Sequence, residues 1–271
     1  MANRVASTSR RAVQYLSPFS RIDREVDRSS TKAASVESFE LSPGRVLARK
    51  YEVISLLGSG WEGEVYKIRE RNTGIERAAK LFFPQRNIRN KTSNFYARKL
   101  HKLRHCPIVI QYSTEESVRY RGATITVLVS EYVEGDLLSE FLKRQPGKRI
   151  SPFQAVHLLH SLVVGIESIH RLREYHGDLH PENIIVSRYG LRFDLKLLDM
   201  FHWTTPKREN IQDDICDLVR IFYDATGGAA HYAKQPPEVK EICCGLKRTL
   251  ILERFPTVVH LRQHLETMSW K

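Results

Sequence analysis

This chain lacks acid where it is most basic. No Asp or Glu occurs from Arg77 to Thr114, while Arg77, Lys80, Arg86, Arg89, Lys91, Arg98, Lys99, Lys102 and Arg104 all fall there. A helix drawn from that stretch has no carboxylate to offer a partner. Cysteine is scarce too. Cys106, Cys216, Cys243 and Cys244 form no CxxC pair and have no histidine at zinc spacing, which argues against a disulfide framework or zinc site and leaves structural thiols. No uncharged apolar run approaches the roughly 20 residues of a membrane-spanning helix. The N-terminus has no apolar core of a secretory signal. These absences predict a cytoplasmic protein with no transmembrane segment.

What is present describes a globular chain: 271 residues, 41% hydrophobic and 27% charged, with a net charge of +12. Such a charge suits an acidic protein partner, a nucleic acid or an anionic membrane, and equally a solvated basic surface. Residues 1 to 45 are rich in Ser and Arg, show no sustained apolar period and close on the turn signal SPG. They read as a flexible tail with candidate phosphoacceptors. From Lys50, YEVISLL, VYKIRE and AAKLFF read as strands. A helical stretch, SNFYARKLHKL, follows, then IVIQY, ESVRY and TITVLVSEY. Helical patterns dominate afterwards. Ser151 is a natural N-cap with Pro152 in the first turn, and QDDICDLVRIFYDA, PPEVKEICCGLKRTL and FPTVVHLRQHLETM continue the series.

Four elements carry chemistry. Gly58-Ser59-Gly60-Trp61-Glu62-Gly63-Glu64-Val65 lies between two predicted strands. That context disfavours a dinucleotide fingerprint, which opens a helix, and suits backbone amides closing over phosphate oxygens. Lys80 sits among Ala, Leu and Phe on a predicted strand, where an ammonium needs an anion or a route to solvent. His176-Gly177-Asp178-Leu179-His180-Pro181-Glu182-Asn183 packs polar groups immediately before the apolar run IIV, and Asp199 follows the strand LKLL.

In this order and spacing, the motifs resemble the protein kinase superfamily over roughly residues 50–265. The resemblance implies an α+β, bilobal fold: a β-rich N-lobe over residues 46–133 with one main helix, and a mainly helical C-lobe over 134–271. It implies ATP and Mg²⁺, with Mn²⁺ as a substitute. Asp178, Lys80, Asn183 and His180 take the catalytic positions, His180 standing where protein kinases usually place Lys. Asn183 and Asp199 supply hard oxygens for the metal. Leu57, Gly58, Ser59, Gly60, Gly63, Val65, Ala78, Lys80, Glu131, Val133, Asp136 and Ile185 line the nucleotide site, with Ser130 as a small gatekeeper. Asp214 anchors the catalytic loop.

The departures are equally specific. Counting back from His105 puts Tyr96 where active family members carry the helix Glu that pairs with the lysine. Glu62 or Glu64 is left as a substitute. Asp199-Met200-Phe201 replaces Asp-Phe-Gly, and Gly177 replaces the Arg before the catalytic Asp. Only 15 positions separate Asp199 from Asp214, with no Ala-Pro-Glu motif. The favoured expectation is an atypical protein serine/threonine kinase able to autophosphorylate. A small-molecule phosphotransferase and a nucleotide-binding pseudokinase acting as a scaffold are the alternatives. A third, accessory reading makes the basic helix a docking face for an acidic protein or a nucleic acid.

Overall fold

Alternating burial builds the first half of the structure. The computed structural model describes residues 36–201 and 206–270. Strands β1 (Val46–Leu47), β2 (Tyr51–Ser59), β3 (Gly63–Glu70), β4 (Glu76–Phe82), β5 (Tyr112–Tyr120) and β6 (Ala123–Glu131) form an antiparallel sheet of order β1-β2-β3-β4-β6-β5. Along β3, Glu64, Tyr66 and Ile68 are buried on one face while Val65 and Lys67 are half-buried on the other, as a period of two requires.

The outer face carries a core of Phe39, Tyr51, Val53, Tyr66, Ile68, Leu81, Ile125 and Val127. Helix α1 (Lys91–Lys102) lies between β4 and β5 in the chain. Its Tyr96 and Leu100 join Phe82 and Leu128 in a second core that runs on into the helical half.

Of the tail expected over residues 1–45, residues 1–35 lie outside the described residues. Residues 36–45 include Phe39 and Leu41, both buried in the outer core. Glu64 secures this strap: its carboxylate accepts from the Ser38 hydroxyl at 2.7 Å and the Phe39 amide at 3.1 Å. The Tyr66 hydroxyl donates to the same carboxylate.

After residues 132–135 come the short strand β7 (Asp136–Leu137) and helices α2 (Leu138–Arg144) and α3 (Pro152–Arg171). Ser151 caps α3 as expected. Its hydroxyl accepts from the Gln154 amide at 3.3 Å and the Gln154 side chain accepts from the Ser151 amide at 3.2 Å, a capping box contributing about 1 kcal/mol. Strands β8 (Ile184–Tyr189) and β9 (Arg192–Leu197) make a three-stranded sheet with β7. Helices α4 (Lys207–Ala225), α5 (Gly228–Tyr232), α6 (Pro237–Cys243), α7 (Arg248–Arg254) and α8 (Val258–Thr267) complete the chain.

Two elements differ from the sequence reading. The single helix expected over PPEVKEICCGLKRTL is two, because Cys244, Gly245 and Leu246 all take left-handed φ (48°, 59° and 57°) and break it. IVIQY is no full strand: Val109 makes one parallel bridge to Leu197, and only Tyr112 belongs to β5.

Candidate active site

The glycines of the β2–β3 hairpin differ in what demands them. Gly58 pairs with Val65 and Ser59 with Glu64, and the Gly60 amide closes the turn on the Gly63 carbonyl at 2.9 Å. A Cβ on Gly63 would lie 1.9 Å from the Leu81 carbonyl oxygen, so the adjoining strand excludes any side chain. A Cβ on Gly58 or Gly60 would meet nothing within 4 Å. The chain's own packing therefore does not require glycine at those two positions. The space beside them lets a ligand approach the backbone closely.

Lys80 lies opposite Val65 on one side and Leu128 on the other, with Ala78 opposite Ser130. Directly paired residues share a face, so Val65, Ala78, Lys80, Leu128 and Ser130 form one surface. From it, Lys80 Nζ donates to Glu62 Oε2 at 2.9 Å and Asp199 Oδ1 at 2.7 Å. It also stands 4.7 Å from the centre of the Tyr96 ring, within cation–π range. The Tyr96 hydroxyl donates to the same Asp199 oxygen at 3.0 Å.

Burial alone would lower the Lys80 pKa, but the Asp199 and Glu62 carboxylates outweigh it and hold the ammonium well above its ordinary value. Burial pushes Asp199 up, and Lys80, aided by the Tyr96 hydroxyl, more than offsets this and keeps it below the usual carboxylate range. Burial and the facing Asp199 carboxylate keep Tyr96 a neutral phenol. Tyr96 thus fills the place of the missing helix Glu with a ring and a hydroxyl. Glu62, not Glu64, supplies the second charge.

Asp199 adopts a left-handed backbone, φ 45°, a strain of about 1–2 kcal/mol for a non-glycine residue. Its two side-chain bonds help to hold it there. Beyond it Met200 is buried. The Phe201 carbonyl accepts from Lys99 Nζ at 2.7 Å. Lys99 is 5% exposed, faces the Tyr175 ring at 4.1 Å, and is lowered by burial to a pKa of about 8.

The loop before β8 is built around Asp214 of α4, which is fully buried. Its Oδ2 accepts from the His176 amide at 2.8 Å and from His170 Nε2 at 2.9 Å, and its Oδ1 accepts from the Gly177 amide at 3.0 Å. His176 Nδ1 accepts from the Asp178 amide at 3.3 Å, so its Nε2 carries the proton and donates to the Leu198 carbonyl at 2.8 Å. Burial lowers the His176 pKa and keeps it neutral in that role. Gly177 has φ 86°, and a Cβ there would stand 2.9 Å from the Tyr175 ring. An arginine at this position would strain the backbone and crowd the Tyr175 ring.

Asn183, in the turn Pro181–Asn183, donates through Nδ2 to the Asp178 carbonyl at 2.9 Å and to Asp178 Oδ2 at 3.1 Å. Both amide hydrogens are thereby used, so the 2.9 Å approach of Nδ2 to His180 Nε2 is a contact, not a third donated bond. The arrangement leaves Asn183 Oδ1 as the group available to a cation. His180 Nε2 lies 3.5 Å from Asp178 Oδ2. Burial lowers the His180 pKa, but Asp178 outweighs it and the net shift is upward. The backbone joins the two clusters: Leu198 N donates to Asn183 O at 2.8 Å and Phe201 N to His176 O at 3.0 Å.

The remaining predicted residues are placed less uniformly. Leu57 is 45% exposed, and Val133 packs at the margin of the main core. Ile185 of β8 pairs with Leu137. The Glu131 carboxylate accepts from the Gln111 amide at 3.0 Å and Lys196 Nζ at 2.6 Å, and its own amide donates to the Gln111 carbonyl at 2.9 Å, so only its carbonyl is left to meet a ligand. Asp136, expected beside the ribose, forms an ion pair with Arg144. Tyr96, Lys99 and His170 were not among the expected site residues. The signal for the first two is their three-residue spacing on one amphipathic helix, which points both inward.

Comparison with known proteins agrees with this geometry. Residues 51–213, more than half of the chain, match the family model of the protein kinase domain, and the chain belongs to that family. A probable serine/threonine-protein kinase of Streptomyces coelicolor is 29% identical over 161 residues, 57% of this chain and 23% of that protein. Cyclin-dependent kinase B2-2 of Arabidopsis thaliana is 26% identical over 188 residues, 68% of this chain and 59% of the relative. The serine/threonine-protein kinase pkn2 of Myxococcus xanthus is 31% identical over 157 residues, 57% and 18% respectively. The chain spans less than two thirds of the length of each. Among the described residues, no helix is long and apolar enough to cross a membrane.

Proposed function

We propose that this chain is an ATP- and Mg²⁺-dependent phosphotransferase that modifies protein serine or threonine hydroxyls, its own included. The observation that carries the reading is the 2.7 Å contact from Lys80 on β4 to Asp199 beyond β9, stitched through the Leu198–Asn183 backbone bond to the Asp178–Asn183 pair. Asp178, Lys80, Asn183 and Asp199 have no common structural reason to converge.

The residues suit a nucleoside triphosphate and a divalent metal. The open space beside Gly58 and Gly60 suits triphosphate oxygens. Val65 and Ala78 present an apolar surface for the purine, with Ile185 on the β7–β8 side. Asp199 Oδ2 and Asn183 Oδ1 are hard oxygens suited to Mg²⁺ or Mn²⁺. A bound Mg²⁺ would neutralise charge on the phosphate oxygens as the phosphoryl group transfers.

The chain's own residues do the rest. Lys80 exchanges Glu62 for phosphate and keeps its hold on Asp199. Asp178 orients the acceptor hydroxyl and takes its proton while the acceptor O–P bond forms and the bond from the γ-phosphorus to the bridging oxygen breaks, releasing ADP. His180, carrying partial positive charge beside Asp178, stands in for the charge that Lys supplies elsewhere in the family. Asn183 fixes the Asp178 rotamer.

A second reading has its own observation. Helix α4 begins at Lys207, eight residues beyond Asp199, which leaves little chain to hold a peptide and favours a small-molecule acceptor or a scaffold. The test is full-length chain with γ-labelled ATP and Mg²⁺, with and without a generic protein substrate, beside Asp178→Asn. Label on serine or threonine from wild type alone supports the proposal. Bound ATP with no label on either protein overturns it, in favour of a small-molecule acceptor where label enters an added metabolite mixture and of a scaffold where it does not.

A further inference from the structure

Away from the interlobe cleft, the helical half carries a groove of about 690 Å³. Its walls come from Arg173 after α3, Lys207, Arg208 and Ile211 at the start of α4, and Leu252 and Pro256 at the end of α7. Three cations and several apolar groups line it, and no acidic side chain does.

Only one of the three cations is paired with a carboxylate. Lys207 shares the buried Glu174 carboxylate with Lys102, so that acid is doubly engaged. Arg173 and Arg208 have no carboxylate partner among the described residues, and both are exposed. Arg173 is moreover held at a left-handed φ of 54°, an unfavourable conformation for a non-glycine residue. Elsewhere the basic excess is partly consumed. Lys80 and Lys99 turn inward, and Arg77 pairs with Glu70.

We propose that this groove docks an acidic segment of a protein partner, with an apolar side chain against Ile211 and Leu252 and flanking Asp or Glu carboxylates on Arg173 and Arg208. Charge complementarity selects the occupant. The chain's residues 1–35 carry seven Lys and Arg against three Asp and Glu, so they do not match the groove, and a second copy of a chain with net charge +12 matches it little better. The apolar wall argues for a peptide over a nucleic acid, whose phosphates would leave Ile211, Leu252 and Pro256 unfilled. Glu174 lies two residues before His176, so the groove borders the loop that carries Asp178. The docked protein is thereby a natural substrate, and calling it one rests on the phosphotransferase reading. The docking itself does not.

The test is direct binding. A fluorescein-labelled 12-residue peptide of Glu and Asp around a central Leu is titrated with the full chain at low and high salt. The same peptide with Lys replacing every acid, and with Ala replacing Leu, are the comparisons, and a short RNA is the competitor. Expected results are saturable binding of the acidic peptide, weakening at least tenfold at high salt, and a threefold or greater loss with Ala. A tenfold or greater loss is expected for Arg173→Gln combined with Arg208→Gln, with an unchanged melting temperature. Equal binding by wild type and that double variant, equal binding of the Lys peptide, or displacement by RNA with no dependence on the Leu overturns the proposal. In a labelled-ATP assay the double variant should raise KM for an acidic protein substrate and leave kcat unaltered. Docking without phosphorylation of any substrate would sink the enzymatic reading alone. Phosphorylation without docking would sink the groove alone.

Discussion

Tyr96 Oη and Lys80 Nζ converge on one oxygen, Asp199 Oδ1, at 3.0 and 2.7 Å. A neutral phenol cannot neutralise the ammonium as a glutamate would, so α1 contributes position where its relatives contribute charge. Tyr96→Phe keeps the ring under Lys80 and removes only the hydroxyl, a loss of about 1 kcal/mol. Turnover should fall roughly three- to tenfold, with ATP affinity nearly unchanged. Tyr96→Ala removes the ring as well and should lower both. Steady-state kinetics and ATP titration on the same preparations separate the two effects, and identical behaviour of Phe and Ala variants would sink the assignment.

The two glutamates of the glycine-rich hairpin have opposite duties. Glu62 reaches the Lys80 ammonium that the phosphates need, so Glu62→Gln should tighten ATP binding by about tenfold, the equivalent of about 1.4 kcal/mol. Glu64 is 2% exposed and accepts from Ser38, Phe39 and Tyr66. Glu64→Gln should leave ATP affinity alone and lower stability by about 2–3 kcal/mol, because a buried network loses its charged acceptor. Nucleotide titration and thermal melting of the pair should cross over. A weaker ATP complex for Glu62→Gln would show that Glu62 assists the nucleotide instead of competing with it.

How much of this was legible beforehand follows from residue chemistry. Lys80, Asp178, Asn183, Asp199 and Asp214 could be picked out as candidates because their residue types and order along the chain match the family's motifs, and the structure brings Lys80 to Asp199 and Asn183 to Asp178. Counting located Tyr96 as a gap, but no sequence rule says that a phenol will turn towards a carboxylate 103 residues away. Glu64 was readable in principle, since alternation puts it on the side of Tyr66 and Ile68. Glu62 sits in the turn, where no period applies. The break at Cys244 depends on left-handed backbone at three successive residues, and of these only Gly245 favours it. Asp136 was assigned by analogy alone, and Arg144, eight residues on and across α2, is a partner that spacing does not announce.

Buried Lys99 makes a stability prediction with a definite sign. Its folded pKa of about 8 lies below the ordinary lysine value of 10.5, so between those values the unfolded chain binds the extra proton and stability rises with pH. The groups bearing on it are Asp214, Glu174 and Lys207, together with the Phe201 carbonyl and the Tyr175 ring. Deprotonated, it can still donate to that carbonyl. Relative to Lys99→Met, the wild type should gain about 3 kcal/mol between pH 7 and pH 11. Denaturant melts of both proteins across that range remove the titrations they share. A flat difference would mean that Lys99 titrates normally.

His180 sets the pH dependence of the reaction itself. Asp178 outweighs burial and raises the His180 pKa above 6.5, so the cation persists to higher pH than in a free histidine and is lost as pH rises through the raised value. That loss leaves the Asp178 carboxylate without its neighbouring positive charge as the phosphoryl group approaches. Turnover should therefore decline as pH rises through that raised value, in a limb lying above pH 6.5. His180→Lys, charged throughout that range, should remove the limb and keep comparable turnover near neutrality. His180→Gln should be slow at every pH, with no such limb. Protonation also forfeits the bond from the Glu182 amide to Nδ1 at 3.3 Å, so a small loosening of the Pro181–Asn183 turn should accompany the active form. A pH–rate profile for the three proteins, with ATP saturating, decides it. An unaltered alkaline limb in His180→Lys would assign that limb to another group and leave His180 a purely structural cap.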